Sequence, residues 1–334
     1  MPVTTTCRLP LGSVLLGAFL ACAAPARSAE APPPDDVVEL EAFVVTGEQP
    51  GPALWKVTRK GHTLWLLASF GPLPDRLVWK SSNIEEVIRN SQEVYAHTLI
   101  PLERPTDLES QQRLLKAISN PDGKRLPAVM PPDLYEQFSD LNRRYAGNNR
   151  MLDTFRPYQA AHMLKEGAMP QLGLASDGGI GQTVYDLARR HNVGFRTFKL
   201  KETHAWDIII TQLEKTPREA DIPCTKARLD RLDADLRQAV DRSNAWARGD
   251  IEALRQDEGL RTDGVILPEC KLFLEHMKFV RKTMLGLRRY SYSTYNKALK
   301  KNRSTLAVVP IREMFDPDGL IARFRKAGYQ VEEP

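Results

Sequence analysis

Histidine and cysteine are scarce in this chain of 334 residues, at six and four. The histidines, at 62, 97, 162, 191, 204 and 276, form no H-E-x-x-H pair, so the zincin pattern is excluded. No G-x-S-x-G elbow is present, which excludes a serine hydrolase of that type. The glycine-rich run Asp177-Gly178-Gly179-Ile180-Gly181-Gln182 could accept an anion at a helix start, but it lacks the Lys-Ser/Thr pair of a phosphate-binding loop. Charge of one sign is also lacking. The net charge of +5, from 47 Lys and Arg against 42 Asp and Glu, is too mild to argue for nucleic acid. Past the N-terminus no stretch approaches the roughly 20 apolar residues that span a bilayer.

What is present at the N-terminus reads as an address. Arg8 precedes an apolar run at 11–24, and Ala24-Pro25-Ala26 and Ser28-Ala29 offer small-residue cleavage sites. A signal peptide at 1–29 is therefore expected, placing the mature protein in the periplasm or cell envelope. Two other readings stay open: a buried N-terminal helix, and lipoprotein processing at Cys22 within Phe19-Leu20-Ala21-Cys22. Cleavage near Ala29 removes Arg8 and Arg27 and lowers the charge to about +3. Residues 30–52 read as a Pro-rich linker, since Pro32, Pro33 and Pro34 allow neither helix nor ladder. Within it the β-prone stretch from Val37 to Thr46 is an edge strand or a partner-binding segment; "VVELEAFVVTGE" resembles the TonB-box-like strands of outer-membrane receptors.

With Cys7 and Cys22 in the leader, Cys224 and Cys270 remain. Their number and spacing exclude a cysteine-only zinc site. In an oxidising compartment one disulfide between them is expected, closing a loop of about 45 residues and stabilising by about 3–4 kcal/mol. Two buried thiols are the alternative.

From Ala53 onward the pattern is that of a folded domain, 53–334. Residues 54–58, a Lys60-Gly61 turn and residues 63–67 predict a β-hairpin with a buried second strand. Ser81 or Ser82 caps a helix through Ile84, Val87 and Ile88, and a strand follows at 93–98. The middle is helical, with starts at Pro132-Asp133 and Arg156-Pro157, a helix at 180–191 and a strand at 194–200. Leu229, Leu232, Leu236 and Val240 form one apolar stripe, and Leu272, Met277, Val280 and Leu285 another; both suit core packing. The end returns to strand, helix and strand, with a buried strand at 305–309, a helix opened by Asp316-Pro317-Asp318, and Gly328 before the last strand. The fold class is thus α/β: a mixed β-sheet built from N- and C-terminal strand-helix-strand units, with a large helical insertion as its cover.

Four segments, "PALWKVTRKGHTLWLLASFGPLPDRLVWKSSNIEEVI", "FRPYQAA", "WARGD" and "FDPDGLIARFRKAGYQVE", carry a resemblance to the TraB/GumN family, related to the Tiki-type metal-dependent peptidases. The resemblance implies a strand-end Gly-x-x-His in each sheet unit, with nearby carboxylates, as the metal and catalytic site. This chain departs from that pattern. The family's "LLGTIHVLP" stands here as Leu66-Leu67-Ala68-Ser69-Phe70-Gly71-Pro72-Leu73-Pro74, with Gly71 at the histidine position. In "VGAAHLVGPDGL" the histidine position is Glu313. The "Gly-Val-Asp" before the central helix appears as Gly179-Ile180-Gly181, and the glutamate ending the second strand aligns with His97. The family's functional Arg-Asn falls at Arg288 or Arg289, without the asparagine.

A divalent metal needs about three protein ligands even in an open site, and the aligned positions keep His97 and Glu313. The expected protein is a non-catalytic binding or scaffold module that needs no cofactor and acts on an unidentified envelope protein or peptide. The competing reading is a metal-dependent hydrolase or peptidase with a rebuilt site. There His97 and Glu313 hold the metal, His204 or Asp316 adds a third group, and Arg288 and Arg312 assist. The run from Arg288 to Lys301, with Tyr290, Tyr292 and Tyr295, interleaves bases with aromatics. Such a cluster can stack on and neutralise phosphates, but at helical spacing in an exported protein it reads as a helix face whose tyrosines pack on the sheet.

Overall fold

The structure is a computed structural model that describes residues 47–75, 77–96, 105, 107–175, 179–197, 205–257, 260, 267–271 and 278–334, the backbone alone at 205 and 278–285. The expected leader, most of the linker with Val37 to Thr46, His97, His204 and the strand ends expected at 97–98 and 198–200 lie outside the described residues. So do the side chains of Leu272, Met277, Val280 and Leu285.

The hairpin forms as expected. Strands β1 (Leu54–Arg59) and β2 (His62–Ser69) pair antiparallel, joined by Lys60 and Gly61, both at positive φ (50° and 79°). Positive φ at both central residues gives a turn whose twist matches that of the strands. Strand β7 (Ser304–Pro310) lies parallel to β2, in register from Thr63–Ser304 to Ser69–Pro310. On the far side of β7 stands β4 (Glu93–Ala96), then β6 (Gly194–Thr197), both parallel. Strand β8 (Gln330–Glu332) closes the opposite edge against β1, giving the order β6-β4-β7-β2-β1-β8. Leu64, Leu66, Leu67 and Ala68 are all fully buried, and so are Leu306, Ala307 and Val309. Continuous burial, rather than alternation, marks strands covered on both faces.

Three features differ from the expectation. The middle of the chain covers the sheet and also extends it, because β6 follows helix α5 (Ile180–Arg190) and takes the edge beside β4. Strands β3 (Leu73–Pro74) and β5 (Leu174–Ala175) form a separate short ladder. Helix α1 (Ser82–Arg89) starts after Ser81, yet the Ser81 hydroxyl makes no capping bond. Ser81 sits at φ −88°, ψ −2°, whereas a capping side chain reaches the first turn from an extended backbone.

The cover has its own apolar core. Helices α3 (Pro132–Ala146), α4 (Pro157–Ala168) and α7 (Asp221–Arg248) pack through Phe138, Leu141, Leu164, Leu232 and Leu236. The stripe from Leu229 to Val240 is therefore core. Helices α2 (Leu108–Ile118) and α6 (Ala205–Lys215) pair alongside. What ties the cover together is Arg156, at the N-cap of α4 and 3% exposed. Its Nε and Nη2 each donate to Asp221 at 2.7 Å, and its remaining donors reach the carbonyls of Ala117, Leu213, Thr216 and Pro217. One guanidinium thus holds the ends of α2 and α6 to the start of α7. A disulfide joins Cys224, in the first turn of α7, to Cys270 in the short turn Pro268–Cys270 that precedes the long helix α9 (Lys278–Lys301).

Removing one partner of a buried ion pair strands the other in the interior, so Arg156→Met is expected to lower unfolding free energy by about 3–5 kcal/mol. Pairing it with Asp221→Leu removes the stranded charge and restores part of that loss, while the carbonyls stay unsatisfied. Urea denaturation of the wild type, the single and the double variant reads the difference; equal stability of the two variants would disprove the account.

Candidate functional site

The parallel register of β2 and β7 brings the two departing segments to one end of the sheet. Ile311 donates its backbone N–H to the carbonyl of Ser69 at 2.8 Å, so Phe70-Gly71-Pro72 and Ile311-Arg312-Glu313 leave side by side. Gly71, before a cis Pro72, brings no side chain to this place. Helix α7 closes the β2 side: buried Trp246 donates its indole N–H to the Ala68 carbonyl at 3.2 Å, and the Ser243 hydroxyl donates to Pro72 at 2.6 Å. Gly249, at φ 70°, then ends α7, and the Asp250 carboxylate accepts the Ala253 N–H at 3.0 Å to cap helix α8 (Ile251–Gln256). The "WARGD" segment is thus a seal and a helix stop.

On the β7 side, Glu313 lies in the one-turn helix α10 (Arg312–Phe315), facing Arg288 of α9. Arg288 Nε donates to Glu313 at 2.5 Å and its Nη2 to Asp316 at 2.5 Å, with all three side chains under 20% exposed. Burial pushes the Glu313 carboxyl above its ordinary range despite the pull of Arg288, and the charge of Asp316 pushes the same way. Burial also raises Asp316, but the Asp318 backbone N–H at 2.8 Å and the guanidinium outweigh it and hold that carboxyl low. Arg288 itself is kept charged, because its two carboxylates overcome the cost of its burial. Gly319, ahead of helix α11 (Leu320–Lys326), fits because a Cβ there would collide with the Glu313 carbonyl oxygen. Asp316 does not cap that helix by its side chain; Gly319 occupies the cap position.

The chemistry of these donors does not fit a divalent metal. Glu313 and Asp316 do converge, as a ligand pair would, but on a guanidinium that already supplies their counter-charge. Gly71 adds no donor, and among the described residues no three His, Cys, Asp or Glu side chains cluster as a metal site. His97 and His204, the other named ligands, lie outside the described residues. Arg312 is half-buried in α10, Arg289 is exposed on α9, and Gly181 sits in the first turn of α5.

Sequence reading missed a second polar cluster one strand away. Glu93 accepts from Tyr95 at 3.1 Å, Asn302 at 2.8 Å and Arg196 at 2.9 Å. Burial raises the Glu93 carboxyl, yet these donors outweigh it and hold it below the ordinary range. Burial and the bond to Glu93 push the Tyr95 phenol up to about 12. The signal was the Glu93-x-Tyr95 alternation, which puts both on one face. The third member became visible only with the register that pairs Tyr95 with Arg196. Tyr95 stacks edge-on against fully buried Tyr295 of α9, at 5.9 Å between ring centres. Of the tyrosines expected on the sheet, Tyr295 is core, Tyr292 packs on Phe324, and Tyr290 is 55% exposed.

Losing Arg288 raises Glu313 further, since burial stays and the counter-charge goes. A carboxyl with a raised native pKa contributes stability below its unfolded pKa, and that contribution is lost as pH climbs through the native value. Asp316 behaves oppositely: its lowered pKa gives stability above its unfolded pKa, lost as pH falls through the native value, and the gain shrinks without Arg288. Arg288→Met is therefore expected to cost about 2–3 kcal/mol at neutral pH. The deficit should be greater near pH 8 than near pH 5. Adding Glu313→Gln should flatten that slope; thermal melts across pH decide, and a deficit independent of pH would refute the assignment.

No curated protein and no solved structure matches the chain. The family model described as the TraB/PrgY/gumN family matches residues 53–333, and the chain belongs to that family.

Proposed function

We propose that the protein is an exported member of its family in which hydrolytic chemistry has been lost and a binding or scaffold role in the cell envelope retained. The observation that carries this reading is Arg288. Where two carboxylates converge at the strand ends, a protein side chain provides the positive charge, and the neighbouring motif position is Gly71. A guanidinium can bind and orient, but it has no exchangeable coordination position for a water or a substrate carbonyl.

Export belongs to the same proposal. It is supported by the leader-like residues 1–29 with their cleavage sites, and a Pro-rich stretch at 30–52 would tether the domain that follows. The disulfide between Cys224 and Cys270 suits an oxidising compartment. No described helix is long and apolar enough to cross a membrane.

The full chain, purified and exposed to zinc, manganese or nickel, is expected to retain no stoichiometric metal on elemental analysis and to leave peptide substrates intact. Stoichiometric metal together with hydrolysis abolished by His97→Ala would overturn this reading in favour of a site rebuilt around His97 and Glu313.

A further inference from the structure

Between the β4–β6 edge of the sheet and helix α9 runs an open groove of about 600 Å³. That size lies within the range of roughly 300–1,000 Å³ usual for ligand sites. Its helix wall is one stripe of α9: Tyr290, Thr294, Lys297 and Lys301, at spacings of four, three and four. Such spacing keeps the side chains on one face, and eleven residues at 1.5 Å each make the wall about 16 Å long. The sheet wall carries Arg196 and Phe195, and the floor is the Glu93–Tyr95 cluster.

The charges in this groove are unbalanced. Its carboxylate, Glu93, is already held by Arg196 Nε, Asn302 and Tyr95. Lys297 and Lys301 are exposed and have no carboxylate within ion-pair distance among the described residues. Arg196 engages Glu93 through Nε, which leaves its two Nη groups as donors along the groove. Two ammonium groups without an anion among the described residues, and a guanidinium already paired with Glu93, therefore line the opening.

Their arrangement selects among anions. Lys297 and Lys301 stand along the helix wall and Arg196 on the sheet wall, so the positive charge is spread over the groove. Lys297 and Lys301 stand one helical turn apart, about 6 Å along the axis. Alternate side chains of an extended chain project on one side at about 6.6 Å, and about five such residues fill 16 Å. Tyr290 and Phe195 give apolar surface for the side chains between.

We propose that this groove binds an extended acidic peptide segment of about five residues from a partner protein, with alternate carboxylates on Lys297, Lys301 and the Nη edge of Arg196. The inference deepens the binding-module reading and rests on it, while the residues that carry it lie apart from Arg288, Glu313 and Asp316.

The test uses the full chain and a fluorescein-labelled peptide of alternating Glu and Val, five residues long, followed by fluorescence anisotropy. Saturable binding is expected, with the Lys-Val counterpart silent. K297E/K301E should weaken it about tenfold or more, and added salt should weaken the wild type as well. Both lysines are exposed, and an unchanged circular dichroism spectrum confirms that the variant folds. No saturable binding, or binding indifferent to K297E/K301E, overturns the groove assignment and leaves the loss of hydrolysis standing. Lysine-dependent binding to phosphatidylglycerol vesicles but not to the peptide overturns it too, in favour of a membrane surface. Mass spectrometry of the recovered peptide separates the two claims: an intact peptide supports both, and a cleaved one retains the groove while removing the non-catalytic reading.

Discussion

The parallel pairing of β2 with β7 is the constraint on which the rest depends. The two strands are more than 230 residues apart, yet seven register pairs hold them together, from Thr63–Ser304 to Ser69–Pro310. Such a contact closes a very long loop, and its entropic cost is offset because both strands are buried on both faces. Once it forms, the chain following each strand must emerge at the same end of the sheet. That is why Gly71 and Glu313, remote in sequence, are structural neighbours, and why the character of this end is set by so few side chains. Two carboxylates held there out of water need a positive charge nearby. In this chain Arg288 supplies it from α9, fixed by geometry rather than by exchange with solution.

The segments that mark the family turn out to be chiefly structural. The arginine of "FRPYQAA" is the buried hub that binds Asp221 and four carbonyls. The tryptophan of "WARGD" seals the end of β2, and its glycine and aspartate stop one helix and start the next. In "FDPDGL" the glycine fits beneath the Glu313 carbonyl and the first aspartate is paired with Arg288. A Cβ at Gly319 or a missing charge at Arg156 disrupts packing whatever the protein does. Gly71 and Glu313 stand where the resemblance expects histidines, and neither is tied to the packing in this way. Family membership is therefore compatible with the proposed loss of the reaction.

Local pattern made much of the fold legible. Lys60-Gly61 between two apolar runs gave away the hairpin, and the uninterrupted runs at 64–68 and 305–309 gave away strands buried on both faces. The stripe through Leu229, Leu232 and Leu236 read correctly as core. Pairing across long separations was less accessible. Nothing near residue 194 announces that β6 takes the edge beside β4, because parallel partners share no turn chemistry. Arg288 or Arg289 was expected at the place of the family's Arg-Asn, but the hold of Arg288 on Asp316 depends on how α9 crosses the sheet. Ser81 shows the converse failure: the residue type suited a cap, and its backbone conformation withheld the bond.

Helix α9 joins the two places where this protein differs most from a simple packed domain. Arg288 on one turn neutralises the strand-end carboxylates, Tyr295 is buried against Tyr95, and the stripe from Tyr290 to Lys301 faces the groove. One helix thus spans the strand-end carboxylate pair and a basic groove, with the Glu93–Tyr95 cluster as the floor of the groove. Because the groove draws its charge from the exposed face of α9, it needs neither Gly71 nor Glu313. On the proposed reading, the substitutions at the strand ends therefore leave this surface intact.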